Sequence, residues 1–140
     1  MPIDSTEFTP EDALVAIMIS VSASDQTMRT SELLSIERMV NHLPVFSDYS
    51  IERITEVSNA VFDILAEEEG LDILWGVVRT ALPERLFDTA YAMACDVAAA
   101  DLRAGEHELR LLEEMRYELN IDRLLASAIE AAARARHRTL

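Results

Sequence analysis

Along most of this chain the apolar positions recur every three or four residues, the period of a helix with one buried face. Thr9-Pro10-Glu11-Asp12 reads as a helix start, with Thr as N-cap, Pro at the first position and acids in the first turn. Leu14, Ile17, Met18 and Val21 then form one apolar stripe, which stops near Asp25. A second helix is predicted from Thr30 or Ser31 to Leu43, with Leu33, Ile36, Val40 and Leu43 on one face and Pro44 closing it. Ser50 is expected to cap a third, striped by Ile51, Ile54, Val57, Val61 and Leu65 and ending at Gly70. The apolar run from Leu71 to Leu82 has the look of a strand, but helical neighbours on both sides make it a short buried helix. Pro83-Glu84 opens a fifth helix that reaches Ala100. A sixth covers Glu106–Leu119, ended by Asn120, and a seventh runs from Asp122 to Arg136. Residues 1–8 read as a loose leader, and residues 9–140 as one all-α domain of about seven helices.

A second pattern lies on top of the first. Val21-Ser-Ala-Ser-Asp25, followed by Glu32-Leu33, Glu37 and Met39, returns as Val97-Ala-Ala-Ala-Asp101, followed by Glu108-Leu109, Glu113 and Met115. Each residue of the second set lies 76 positions after its counterpart, and the apolar frame extends upstream at the same offset, Leu14 and Ile17 answering Ala90 and Met93. The repeat predicts a bundle built from two similar helix-loop-helix halves.

Composition narrows the partners. The chain holds 26 acidic against 12 basic residues in 140, a formal charge of −14. That excess excludes nucleic acid, which needs clustered Lys and Arg. No uncharged apolar run reaches the roughly 18 residues of a membrane span. The first residues lack the basic and apolar regions of a signal peptide. The single cysteine excludes an internal disulfide. These features predict a cytoplasmic protein.

The repeat also carries the candidate chemistry. In each copy an Asp follows the end of one helix and a Glu begins the next. Two such pairs related by an approximate twofold would bring Asp25, Glu32, Asp101 and Glu108 together. Carboxylate oxygens suit hard divalent cations. The spacing is not that of an EF-hand, which needs oxygens through positions 1 to 9 and a Glu at 12; here the Glu stands at the eighth position, and Arg29, Arg103 and Gly105 fall where oxygens belong. The same residues have a purely structural reading, an Asp closing a turn and a Glu offsetting the helix dipole.

The segments SASDQTMRTSEL and AAADLRAGEHEL resemble the tellurite-resistance TerB-like family over residues 10–137. The usual motif is Ala-Asp-Gly, a hydrophobic residue, Ser or Thr, then Glu-Leu. Gln26 and Leu102 replace the glycine, Arg29 and Gly105 the Ser or Thr, and Ser24 stands where the first copy should have Ala. The resemblance implies an all-helical bundle of two similar halves and a link to tellurite and stress resistance. It implies protein partners, including complexes near the membrane, and no established reaction. It makes Asp25, Glu32, Asp101 and Glu108 the ligands of a divalent cation such as calcium, magnesium or zinc. The alternative is an adaptor or co-chaperone-like interaction module without metal. An enzyme is not expected, because no nucleophile elbow, phosphate loop or triad accompanies the carboxylates. Cys95 and Trp75 read as core, His42, His107 and His137 as surface, Asp96 as exposed, and Glu67-Glu68-Glu69 as a solvated helix end.

Overall fold

The computed structural model describes residues 8–23, 28–100 and 106–140. Among these residues all regular structure is helical. The order is α1 (Pro10–Ser22), α2 (Thr30–His42), a 3-10 turn (Pro44–Phe46), α3 (Arg53–Leu65), α4 (Gly70–Ala81), a 3-10 turn (Glu84–Leu86), α5 (Phe87–Ala100), α6 (Glu106–Glu118) and α7 (Arg123–Arg136).

α1 is the axis of the bundle. It packs against α3, α4 and α5, with α2 and α6 alongside. Every residue from Asp12 to Ser22 is buried, so the single stripe expected of α1 is in fact an apolar surface all round. A helix that is apolar on every side must be enclosed. Small residues let α5 lie close: Ala13 and Ala16 on α1 and Ala90 and Ala94 on α5 are all fully buried. α7 closes the outer side of α5, placing Ala126 and Ala133 inward. Trp75 on α4 is buried, as its place among leucines and valines predicted.

The start of α1 carries the least expected feature. Asp12 is fully buried. It completes a capping box with Thr9: the Thr9 N–H donates to Asp12 Oδ2 at 3.0 Å, and the Asp12 N–H to Thr9 Oγ1 at 3.1 Å. The same carboxylate accepts from the Tyr49 hydroxyl at 2.6 Å and from Arg53 Nε and Nη2 at 3.1 and 2.9 Å. Burial alone would raise the Asp12 pKa. The hydrogen bonds from Arg53, Tyr49 and Thr9, with the Arg53 charge, outweigh it and hold the carboxyl below its ordinary value. Burial and the Asp12 acceptor push the Tyr49 hydroxyl far above its ordinary value, so Tyr49 remains the donor.

Other junctions differ from the sequence expectation. Phe8, assigned to the leader, is buried in the core; residues 1–7 lie outside the described residues. Ser50 is no side-chain cap. Its carbonyl accepts the Arg53 N–H, and α3 begins at Arg53 rather than Ile51. Pro83 opens a 3-10 turn before α5. Gly70 does not end α3. It is the first residue of α4, and a Cβ there would stand 2.2 Å from the Ile64 carbonyl oxygen and 2.7 Å from Leu65 Cα. Asn120 does end α6, with φ 51°: the Ile121 N–H reaches the Arg116 carbonyl and the Asn120 N–H that of Tyr117. This is a Schellman closure with Asn in the left-handed position.

Two outcomes follow. Gly70→Ala forces backbone apart at the α3–α4 elbow and lowers stability by about 1–3 kcal/mol in chemical denaturation, the range for overpacking. Asp12→Ala takes the acceptor from the Tyr49 hydroxyl and the Thr9 N–H, while Arg53, partly exposed, keeps Glu56; it costs about 1–3 kcal/mol, as for buried hydrogen-bond groups left unsatisfied. Because the folded pKa of Asp12 is lowered, its stabilisation is complete above its unfolded pKa and is lost as pH falls through the folded value. The gap in melting temperature between wild type and Asp12→Ala therefore narrows below about pH 4; a gap constant down to strong acid refutes the role.

Candidate functional site

The C-terminal ends of α1 and α5 and the first turns of α2 and α6 enclose a cleft of about 300 Å³. Its floor is Val21 and Ser22 from α1 with Val97 and Ala98 from α5. Ser31, Glu32 and Ser35 reach it from α2 and Glu108 from α6, and Arg29 stands at its edge. The two glutamates of the repeat therefore share one cavity. Asp25 and Asp101 lie outside the described residues. Among the described residues no group of three or more His, Cys, Asp or Glu side chains is placed to hold a metal ion.

Glu32 also has a local task. Its Oε1 accepts the Arg29 N–H at 2.9 Å and Arg29 Nε at 3.2 Å. This is half of a capping box: Arg29 at the N-cap has no side-chain oxygen to return the bond. The helix-start role and a position on the cleft thus coexist in one residue. Glu108 occupies the equivalent place in the first turn of α6, where it has interactions of its own.

Sequence reasoning missed Ser22. Its Oγ is buried and has no hydrogen-bond partner; among the described residues the same holds only for Ser58 on α3. A buried hydroxyl without a partner is costly and asks for an explanation. Ser22 lines the cleft, whereas Ser58 does not line it. The small residues before each aspartate were the available signal, since they let the helix ends approach closely enough to share a floor.

The remaining candidates separate cleanly. Cys95 is buried, and burial pushes its thiol up to about 11, which leaves it unreactive at neutral pH. His42 and His107 are exposed, as expected. His137 is half-buried, its Nε2 3.4 Å from Asp96. Asp96, expected to be exposed, is half-buried too. It accepts from Arg136 Nη2 at 2.7 Å and Nε at 3.2 Å, tying the end of α7 to α5. Glu130 on α7 accepts the Tyr91 hydroxyl at 2.5 Å and pairs with Arg116 at 3.5 Å. Arg79 and Glu118 join α4 to α6.

No family model, curated protein or solved structure matches this chain. The likeness to the TerB-like family rests on the two quoted motif segments.

Proposed function

We propose that this chain is a non-catalytic, TerB-like helical protein of the stress- or tellurite-resistance kind. In this reading its cleft takes one divalent cation and it acts in the cytoplasm through protein partners. The observation that carries the reading is the meeting of Glu32 and Glu108 on one cavity, over the unpartnered hydroxyl of Ser22. The donors fit: they are oxygens, which calcium and magnesium prefer. Asp25 and Asp101, each seven residues before its glutamate, would complete the set. Bound there, the cation would supply charge that lets carboxylates from two helix pairs stay together.

The duplication supports this reading. α2 and α6 begin and end 76 residues apart, Thr30–His42 against Glu106–Glu118. α1 packs on α5, α2 also reaches α5, and α6 also reaches α1. Such reciprocal packing is what two related halves would produce, and it draws their equivalent first turns toward one place. An adaptor without metal is the competing reading. It is favoured by apolar side chains left in solvent on α6 and the start of α7: Leu109 is 64% exposed, Tyr117 84% and Leu124 79%.

A cation bound only by the folded chain raises stability by about 2.7 kcal/mol at a hundredfold excess over Kd. Melting in the presence of calcium, magnesium, manganese or zinc, paired with calorimetric titration, should show such a rise for at least one of them. Glu32→Gln with Glu108→Gln should remove it without unfolding the chain, since Gln keeps an oxygen for the Arg29 N–H. If the wild type shows no rise with any of the four metals, the cation reading fails and the adaptor reading leads.

A further inference from the structure

We propose that a second cleft, at the α3–α4 elbow, is the docking site for a basic amphipathic helix of a partner protein. The proposal names the chemistry of a partner and does not depend on the cation reading.

The elbow is built by Gly70. Its missing Cβ lets the first turn of α4 sit directly on the backbone of Ile64 and Leu65. The chain between the two helices is thereby compressed into a tight turn, with the Glu67 N–H on the Ile64 carbonyl and the Gly70 N–H on the Glu67 carbonyl. The turn holds three consecutive acids, Glu67, Glu68 and Glu69, all exposed. None of their side chains makes an ion pair among the described residues, and here three such acids stand side by side. Three adjacent like charges without a counterion cost stability in a chain already at −14.

Beside this turn lies a cleft of about 600 Å³. Phe62, Leu65, Leu71 and Leu111 line it, and Glu67 and Glu68 stand on its rim. Phe62, Leu65 and Leu71 are only partly covered by the rest of the molecule. An apolar trough under an uncompensated acidic edge complements a segment with apolar anchors on one face and Lys or Arg beside them. The described residues offer no sheet edge for an added strand, and an amphipathic helix, with anchors spaced i, i+3 or i+4, matches an apolar groove with a charged edge. The acidic edge repels anionic lipid and nucleic acid.

The test is fluorescence anisotropy of a labelled Leu/Lys amphipathic helical peptide with the full chain, in the presence of a chelator. A peptide of the same composition, scrambled to destroy the apolar face, is the comparison. The amphipathic peptide should bind more tightly than the scrambled one. Glu67→Gln/Glu68→Gln/Glu69→Gln should weaken binding about tenfold or more. Asp48→Asn/Glu52→Gln/Glu84→Gln, an equal loss of charge at exposed sites elsewhere, should leave it nearly unchanged. Amide shifts on binding should fall on Phe62, Leu71 and Leu111. Equal binding of the scrambled peptide, equal weakening by the two triple variants, or binding of phosphatidylserine vesicles in place of the peptide overturns the proposal. The chelator keeps this outcome separate from the metal-dependent melting experiment.

Discussion

A carboxylate can lie buried at the start of α1 only because three other groups converge on it. α1 must be enclosed on all sides, yet its first turn carries Asp12 with no exposed surface. An unpaired buried carboxylate would protonate or unfold its surroundings. Here Arg53 arrives from the start of α3, Tyr49 from the segment before it, and the Thr9 N–H from the cap. The network does not merely neutralise a charge. It fixes the rotation of α1, because turning the helix would strip the carboxylate of donors that come from one direction. It also fixes where α3 begins relative to α1, forty residues away in the chain. Apolar side chains in place of a buried ion pair often give equal stability. What the network adds is a single register.

That register decides what happens at the other end of α1. With its N-terminus pinned, the C-terminal turn lands beside the end of α5, and alanines at the crossing keep the two helices close. Val21 and Ser22 then meet Val97 and Ala98 as a shared floor. The following helices start from this floor, so their first turns face one another. The cleft is thus a consequence of the packing of α1 on α5. The same geometry explains how a buried serine hydroxyl comes to lie there without a partner.

Much of the helical framework was legible because it depends on local chemistry. Thr9 and Pro10 start α1, Pro44 follows α2, and Asn120 closes α6, each by the backbone property its residue type brings. What stayed hidden depends on tertiary neighbours. Asp12 looks like any first-turn acid until Arg53 is seen against it. Gly70 looks like a helix end, because a glycine needed for left-handed φ and one needed for close approach are the same letter. Phe8 looked like part of a leader because a single aromatic has no period. The repeat was legible at Glu32 and Glu108, which do share a cavity. It misleads at the next residue, where Leu33 packs on the core and Leu109 is largely in solvent. Identical letters at equivalent positions therefore have different surroundings in the two places.

Arg29 bears most directly on what the cleft can do. It stands where the family motif has Ser or Thr, and its guanidinium already touches Glu32. An arginine on the ligand set would seem to exclude a cation. The exposure of its side chain argues otherwise. Arg29 is about half exposed, so solvent screens its side of the pair even though Glu32 is largely covered. Its backbone N–H, which also holds Glu32, does not compete for charge and keeps the carboxylate oriented when the side chain swings away. If the cleft takes a divalent ion as proposed, that ion would bring twice the charge to several oxygens and would compete with Arg29 for Glu32. Arg29 would then tune the affinity of the cleft without closing it, compensating the carboxylate at low cation concentration and yielding its place when cation is plentiful.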